Sequence, residues 1–272
     1  MAEPKPLLQA CQLVKRFGSV QALRGADFCV YPGEVVALMG DNGAGKSTLV
    51  RALCGGFVPD AGEILFQGRP ITMRSPRDAQ ALGMETVYQD LALAPDLDAA
   101  ANLFLGRELL RGGWGRRLAW LDHGEMRRRT VQALAGMQVT LPSLREPIAS
   151  LSGGQRQSIA VVRAATWAQR LVFMDEPTAA LGVAQTRAVL ELIVRVRDSG
   201  RAVVLISHNL PDVMSVADRV EVLRLGRRTA RFARGEFSAD RIVAAITGAL
   251  VTEPPASGEA IGIDMAAHKD MP

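Results

Sequence analysis

Hydrophobic positions along the chain form runs of two kinds. The first kind is aliphatic throughout: VVALM at 35–39, LVFM at 171–174 and AVVLI at 202–206 contain no alternating polar residue. A strand covered on both faces reads this way, as in a parallel sheet flanked by helices. Behind these runs come stretches with helical spacing, at 46–54, 183–198 and 210–217. Strand followed by helix, repeated, predicts an α/β fold with a mostly parallel sheet at its core.

The second kind is shorter and more broken. LLQACQLVKRFG (7–18), ADFCVYPGE (26–34) and GEILFQGRPI (62–71) predict antiparallel strands, with turns at Pro32–Gly33 and at 60–62. From Gln89 to Leu151 the texture changes to Ala, Leu and Arg in helical spacing. A helical subdomain over about 92–168, inserted into the α/β body, is the expectation, with RGGWGRR (111–117) as a loop inside it. Beyond about Ala249 the sequence has little to bury, so 249–272 reads as a loose tail behind one domain at 7–248.

Composition narrows the class without naming it. Of 272 residues, 48% are hydrophobic and 22% charged, which excludes intrinsic disorder and collagen-like fibres. The net charge of +4 is too small to point to a nucleic-acid partner. Three scattered cysteines, Cys11, Cys29 and Cys54, argue against a disulfide framework or zinc cage and for a reducing compartment. The N-terminus lacks the basic-then-apolar build of a signal peptide. The apolar runs end after about five residues where a membrane span needs roughly 20, so the chain is not expected to cross a membrane by itself.

Chemistry enters at GDNGAGKST, residues 40–48, between the buried strand VVALM and a helix. This is the P-loop pattern G-x-x-x-x-G-K-[ST]. Gly40, Gly43 and Gly45 let the backbone of Asp41, Asn42 and Ala44 turn with its N–H groups inward, where side chains would block a phosphate. The helix start behind them favours the same anion. Lys46 can reach the β- and γ-phosphates, and the Ser47 hydroxyl, followed by Thr48, can ligate Mg²⁺. The strand LVFMDE (171–176) delivers Asp175 beside this loop, where it can hold the Mg²⁺ shell, and Glu176, which can orient or deprotonate a water.

A P-loop with an acidic strand end is shared by kinases, GTPases, helicases and transport ATPases. LSGGQRQ at 151–157 decides between them, because here the sequence resembles the ATP-binding-cassette (ABC) family, whose signature is LSGGQ. Ser152, Gly153 and Gly154 expose backbone N–H groups at the start of a helix over 154–167 and make a second anion site. Ser152 and Gln155 also have the spacing of a helix capping box. The resemblance covers about 7–248. It implies a P-loop NTPase of ABC type, with an antiparallel β subdomain and an inserted helical subdomain. It further implies a head-to-tail homodimer in which Ser152, Gly153, Gly154 and Gln155 cap the nucleotide held by the other copy.

The same resemblance implies three more roles. Gln89, in METVYQD after a strand, matches the glutamine that touches Mg²⁺ and the attacking water. His208, in LISHN at another strand end, matches the histidine that contacts the γ-phosphate. Phe17 matches the aromatic that stacks on adenine. One position departs: where the family usually reads SALD, this chain reads AALG (179–182), and Gly182 replaces an interfacial carboxylate.

Within the family, METVYQDLALAPDLDAAANLFLGRE (84–108) and EPTAALG are similar to the ribose-, xylose- and fructose-type importers. The resemblance therefore implies an ATPase using ATP and Mg²⁺ to power uptake of a monosaccharide. It would do so from the cytoplasmic face of a bacterial plasma membrane, through a separate transmembrane permease and, indirectly, a solute-binding protein. The alternative is a cassette of a non-sugar transporter, or a soluble cassette outside transport. The segment 90–106 is expected to present apolar residues, Leu93 and Leu97 among them, to the permease.

Overall fold

A computed structural model describes residues 5–112 and 119–252. Its centre is a six-stranded sheet of β3 (Val35–Met39), β6 (Met84–Val87), β7 (Leu171–Asp175), β8 (Ala202–Ile206), β9 (Arg219–Arg224) and β10 (Arg227–Ala233). The strand order is β10-β9-β3-β8-β7-β6. All pairs are parallel except the β9–β10 hairpin, and Val35 pairs with Val203 as Val172 does. The α/β expectation holds, with a mixed, mostly parallel sheet.

The unbroken apolar runs have a direct explanation in this sheet. Val35, Ala37 and Met39 point into one core with Val172, Met174, Val203 and Leu205. Val36 and Leu38 point into a second core with Leu171, Phe173, Val204 and Ile206. Both faces are dry, so neither face tolerates polar positions. The first core is completed by helices α5 (Gly153–Trp167) and α6 (Val183–Asp198), through residues such as Ile159, Val161, Val189 and Leu192. The second is completed by α1 (Lys46–Leu53) and by a four-stranded antiparallel sheet. That sheet comprises β1 (Leu8–Phe17), β2 (Val20–Val30), β4 (Ala61–Phe66) and β5 (Arg69–Ile71), in the order β2-β1-β4-β5.

The hairpin β9–β10 has no counterpart in the apolar pattern, because its strands carry charge into the interior. Glu221 is fully buried and meets Arg219, with Arg231 at 3.2 Å and Arg228 at 3.4 Å. Arg219 reaches on to Glu34 and to the Cys29 carbonyl oxygen, each at 2.6 Å. A buried carboxylate is tolerated only when paired and hydrogen-bonded. This cluster therefore ties the antiparallel sheet to the main sheet through charge, beside the apolar contacts of the second core.

Between β6 and β7 lie α3 (Ala99–Leu103), α4 (His123–Gly136), a short 3-10 turn at Ile148–Ser150, and α5. The described residues of this segment contain an isolated bridge, Leu110 to Leu121, outside the named strands. The loop read at 111–117 falls, from Gly113 on, outside the described residues, as does the tail from Glu253 on. The chain stays attached up to that point. After α2 (Pro76–Ala81), α7 (Leu210–Val216) and α8 (Ala239–Thr247), Leu250 packs on the first core. The Thr252 N–H donates to the Thr229 carbonyl at 3.0 Å. Among the described residues no helix is long and apolar enough to cross a membrane.

Candidate functional site

Four parallel strands end on one edge of the main sheet, and each carries a candidate residue at or just beyond its carboxyl end. β3 leads into residues 40–45, β6 into Tyr88 and Gln89, β7 into Asp175 and Glu176, and β8 into Ser207 and His208. Open α/β sheets place ligands outside this edge. A cleft of about 860 Å³ opens there. Gly40, Asp41, Asn42, Gly43, Gly45, Lys46, Ser47, Thr48, Gln89, Asp175, Glu176 and His208 all line it. Ala44 is buried beneath the loop.

The loop 40–45 needs its glycines for definite reasons. Gly40, Gly43 and Gly45 hold φ of +152°, +77° and +101°, which side-chain-bearing residues rarely adopt. A Cβ at Gly40 would lie 2.2 Å from the Leu223 carbonyl oxygen, and one at Gly45 would lie 2.7 Å from that of Ala22. Lys46 is buried, and its ammonium donates to the Gly40 and Asp41 carbonyls at 2.8 and 2.9 Å. Burial pushes its pKa down, against the pull of Glu176, Asp41 and Asp175. Asp175 is pushed up, first by burial and then by Glu176. Burial thus disfavours both charges, and an opposite charge brought beside either group would favour it.

Glu176 sits with φ +49°, in the left-handed region, with its N–H donating to the Ile206 carbonyl at 2.9 Å. Its carboxylate lies 2.9 Å from the exposed His208 Nδ1. This φ is uncommon outside glycine and clusters at functional sites. Ser47, Gln89 and Asp175 also line a neighbouring cavity of about 790 Å³, with Arg51, Cys54 and Tyr88. These three residues form the wall between the two spaces. A hydroxyl, an amide oxygen and a carboxylate are the oxygen donors that suit Mg²⁺.

Not every expected residue reaches this cleft. Ser152, Gly153, Gly154 and Gln155 do not line it; they form the start of α5. There the capping box is closed: Gln155 N–H donates to Ser152 Oγ at 3.3 Å, and Ser152 N–H to Gln155 Oε1 at 2.9 Å. Phe17 does not line it either. Its ring is half exposed and stands edge-on to Phe57 at 5.5 Å, while its strand partner Val20 does line the cleft. Gln21, Ala22, Arg24 and Leu225 line it too and were not foreseen. The signal for Gln21, Ala22 and Arg24 is the tight turn at Gly18, which folds β2 back beside β1, whereas Leu225 comes from the turn between β9 and β10.

Comparison with known proteins gives a consistent picture. The family model described as ABC transporter matches residues 23–179. The chain is 49% identical over 253 residues to the fructose import ATP-binding protein FrcA of Rhizobium meliloti, covering 92% of this chain and 96% of that one. It is 41% identical to the xylose/arabinose import ATP-binding protein XylG of Sulfolobus acidocaldarius, covering 89% and 94%. It is 40% identical to the ribose import ATP-binding protein RbsA of Yersinia pestis, of which it spans 46%. Among solved structures, a nucleotide-free ATP-binding cassette superposes with TM-score 0.74 at 24% identity, covering 88% of this chain and 98% of that one. A dimeric post-hydrolysis cassette bound to ADP and phosphate gives 0.69 at 23%, covering 85% and 100%.

Proposed function

The chain belongs to the ABC transporter family, and on that premise we propose that it is the ATP-hydrolysing subunit of a monosaccharide importer. It is an ATPase. The observation that carries the site assignment is the meeting of the phosphate loop, Gln89, Asp175, Glu176 and His208 in one cleft across four strand ends. The sugar class rests on the relatives at 49% and 41% identity, both of which this chain covers almost end to end.

The site residues divide the work. The inward N–H groups of 40–45 and the start of α1 bind the phosphates, and Lys46 turns from the loop carbonyls to a phosphate oxygen. Ser47, Asp175 and Gln89 would hold Mg²⁺, which when bound neutralises charge developing on the transferred phosphoryl group. Glu176 orients the attacking water and takes up its proton. His208, already 2.9 Å from Glu176, holds that carboxylate and faces the terminal phosphate. Ser152, Gly153, Gly154 and Gln155 lie apart from this cleft, which supports their acting on the nucleotide of a second, head-to-tail copy. Glu176→Gln should keep ATP binding and lose roughly 100-fold or more of turnover. Turnover at the native rate would refute the assignment.

Import requires a membrane permease, and the segment after Gln89 is the candidate grip for it. Leu93 packs against the first core, whereas Leu97 and Leu105 are exposed apolar residues. The docking surface therefore rests on Leu97 and Leu105, and on the cavity beside Tyr88 and Asp90, more than on Leu93. Leu97→Asp should leave ATPase activity and Tm of the isolated chain within about 20% of native while sugar uptake in cells falls several-fold. Unchanged uptake would move the docking surface elsewhere. A solute-binding protein and the cytoplasmic membrane face complete this reading.

A further inference from the structure

The turn that follows Gln89 is held in an unfavourable shape from outside. Leu91 and Ala92 both lie in the left-handed region, with φ of +61° and +45°. Two such residues in succession, neither of them glycine, persist only where the surroundings impose them. The turn's own hydrogen bond, from Leu91 N–H to the Tyr88 carbonyl at 2.9 Å, does not fix both residues. Leu91 and Leu93 pack on the first core, and the polar restraint on Leu91 and Ala92 is Arg163, ten residues after Gly153 on α5. Its Nη2 donates to the Leu91 carbonyl at 2.8 Å and its Nη1 to the Ala92 carbonyl at 2.7 Å. A planar guanidinium meets two adjacent carbonyls with both hydrogens of a fork, which an ammonium cannot reproduce.

The surroundings keep Arg163 on these two oxygens. Glu85, the neighbouring carboxylate on β6, is taken by Arg107 at 2.5 Å, and Arg107 in turn lies over the Trp167 ring at 4.9 Å. The partly buried guanidinium of Arg163 is thus left to the carbonyls of the turn. We infer that Arg163 is a positioning residue for hydrolysis: through the Leu91–Ala92 turn it ties the place of Gln89 to helix α5, the helix that begins with the signature loop. The inference rests on the proposed role of Gln89. It gives α5 two ends of one lever, the signature loop at its start and the glutamine turn about three helical turns on.

The test uses the full chain with Arg163→Met, which keeps an unbranched apolar stem, and with Arg163→Lys. Amide hydrogen exchange in the 88–94 peptide should rise about tenfold in Arg163→Met while Tm stays within a few degrees. Turnover should fall roughly tenfold in both variants with KM for ATP unchanged, as for a misplaced group. In a Gln89→Ala background, Arg163→Met should cost less than twofold more. Ala92→Gly, which accepts positive φ freely, should restore part of the turnover to Arg163→Met. Unchanged exchange in 88–94, or losses that multiply fully with Gln89→Ala, would overturn the inference. Should Gln89→Ala alone leave turnover untouched, the role of Gln89 falls, and the exchange rates and the Ala92→Gly rescue still decide whether Arg163 holds the turn.

Discussion

The chain carries two glycine-rich loops at helix starts, and they are built on opposite principles. In the phosphate loop all three glycines have positive φ, and at Gly40 and Gly45 neighbouring carbonyls leave no room for a side chain. The loop is shaped by its own chain, closed around Lys46, and complete. In the signature loop no glycine has positive φ. A Cβ at Gly153 would meet only Leu181 Cδ2, at 3.5 Å, an ordinary contact. Gly154 is small because a Cβ there would come within 2.7 Å of the Gln185 Cβ. Gly153, exposed and sterically free, gains nothing from being glycine within this chain. A residue kept small without an internal reason points to a neighbour that approaches from outside. On the proposed reading, one loop is a site within its own chain, and the other is half of a site shared with a second copy.

The largest expected effect separates the two loops directly. Gly40→Ala forces backbone against backbone and should abolish measurable ATP binding, a loss of at least 100-fold, with a lower Tm. Binding within tenfold of native, by titration with a fluorescent ATP analogue, would mean that the loop opens more easily than its geometry implies. A smaller and subtler effect is expected at Gly153. Gly153→Ala should leave ATP binding and Tm unchanged or slightly raised, since alanine favours the helix, while turnover falls about tenfold as the neighbour is pushed away. If binding by the isolated chain drops as well, the loops share one site and the contrast fails.

The smallest effect concerns Gly182, which caps α6 without any side-chain hydrogen bond. Aspartate is a better cap than glycine by a few tenths of a kcal/mol. The obstacle is Gln185 Oε1, which a Cβ would meet at 2.5 Å and which can swing away as the far end of a side chain. Gly182→Asp should therefore raise Tm by a degree or so. It should also raise the Hill coefficient for ATP in the permease-bound enzyme, by placing a carboxylate on the proposed dimer face. An unchanged coefficient would show that communication between the sites does not run through this position.

How much of this could be read beforehand follows from where each residue's constraint lies. The strands at 35–39, 171–175 and 202–206 were legible because both of their faces are dry, and the helix at 183–198 because it has one buried stripe. The β9–β10 hairpin was not, because Arg219 and Glu221 are buried by pairing with partners distant in sequence, and no local pattern encodes that. The residues around the phosphate loop were legible because backbone geometry dictates glycine at fixed spacing. Val20, Gln21 and Arg24 were not, since a hairpin brings them to the cleft from another sheet. Leu93 and Leu97 look alike in sequence; only packing shows that one is held by the core and the other faces outward. The same holds for Arg163, an ordinary helical arginine until its fork is seen on Leu91 and Ala92.

The strand order of the main sheet has a consequence for biosynthesis. β3, which launches the phosphate loop, lies between β8 and β9, and Glu34 at its foot meets Arg219 across 185 residues of sequence. Ribosomes add about 5–20 residues each second, so VVALM waits about 10–40 s between its own synthesis and that of its second neighbour. Until β8 is made, for most of that interval, an aliphatic strand with two open edges, and with Glu34 unpaired beside it, is exposed on the growing chain. Such strands are the segments most prone to pair with the wrong partner. Yield of soluble protein should therefore depend on the rate of translation through 40–218 and on holding chaperones, while the finished protein is insensitive to both.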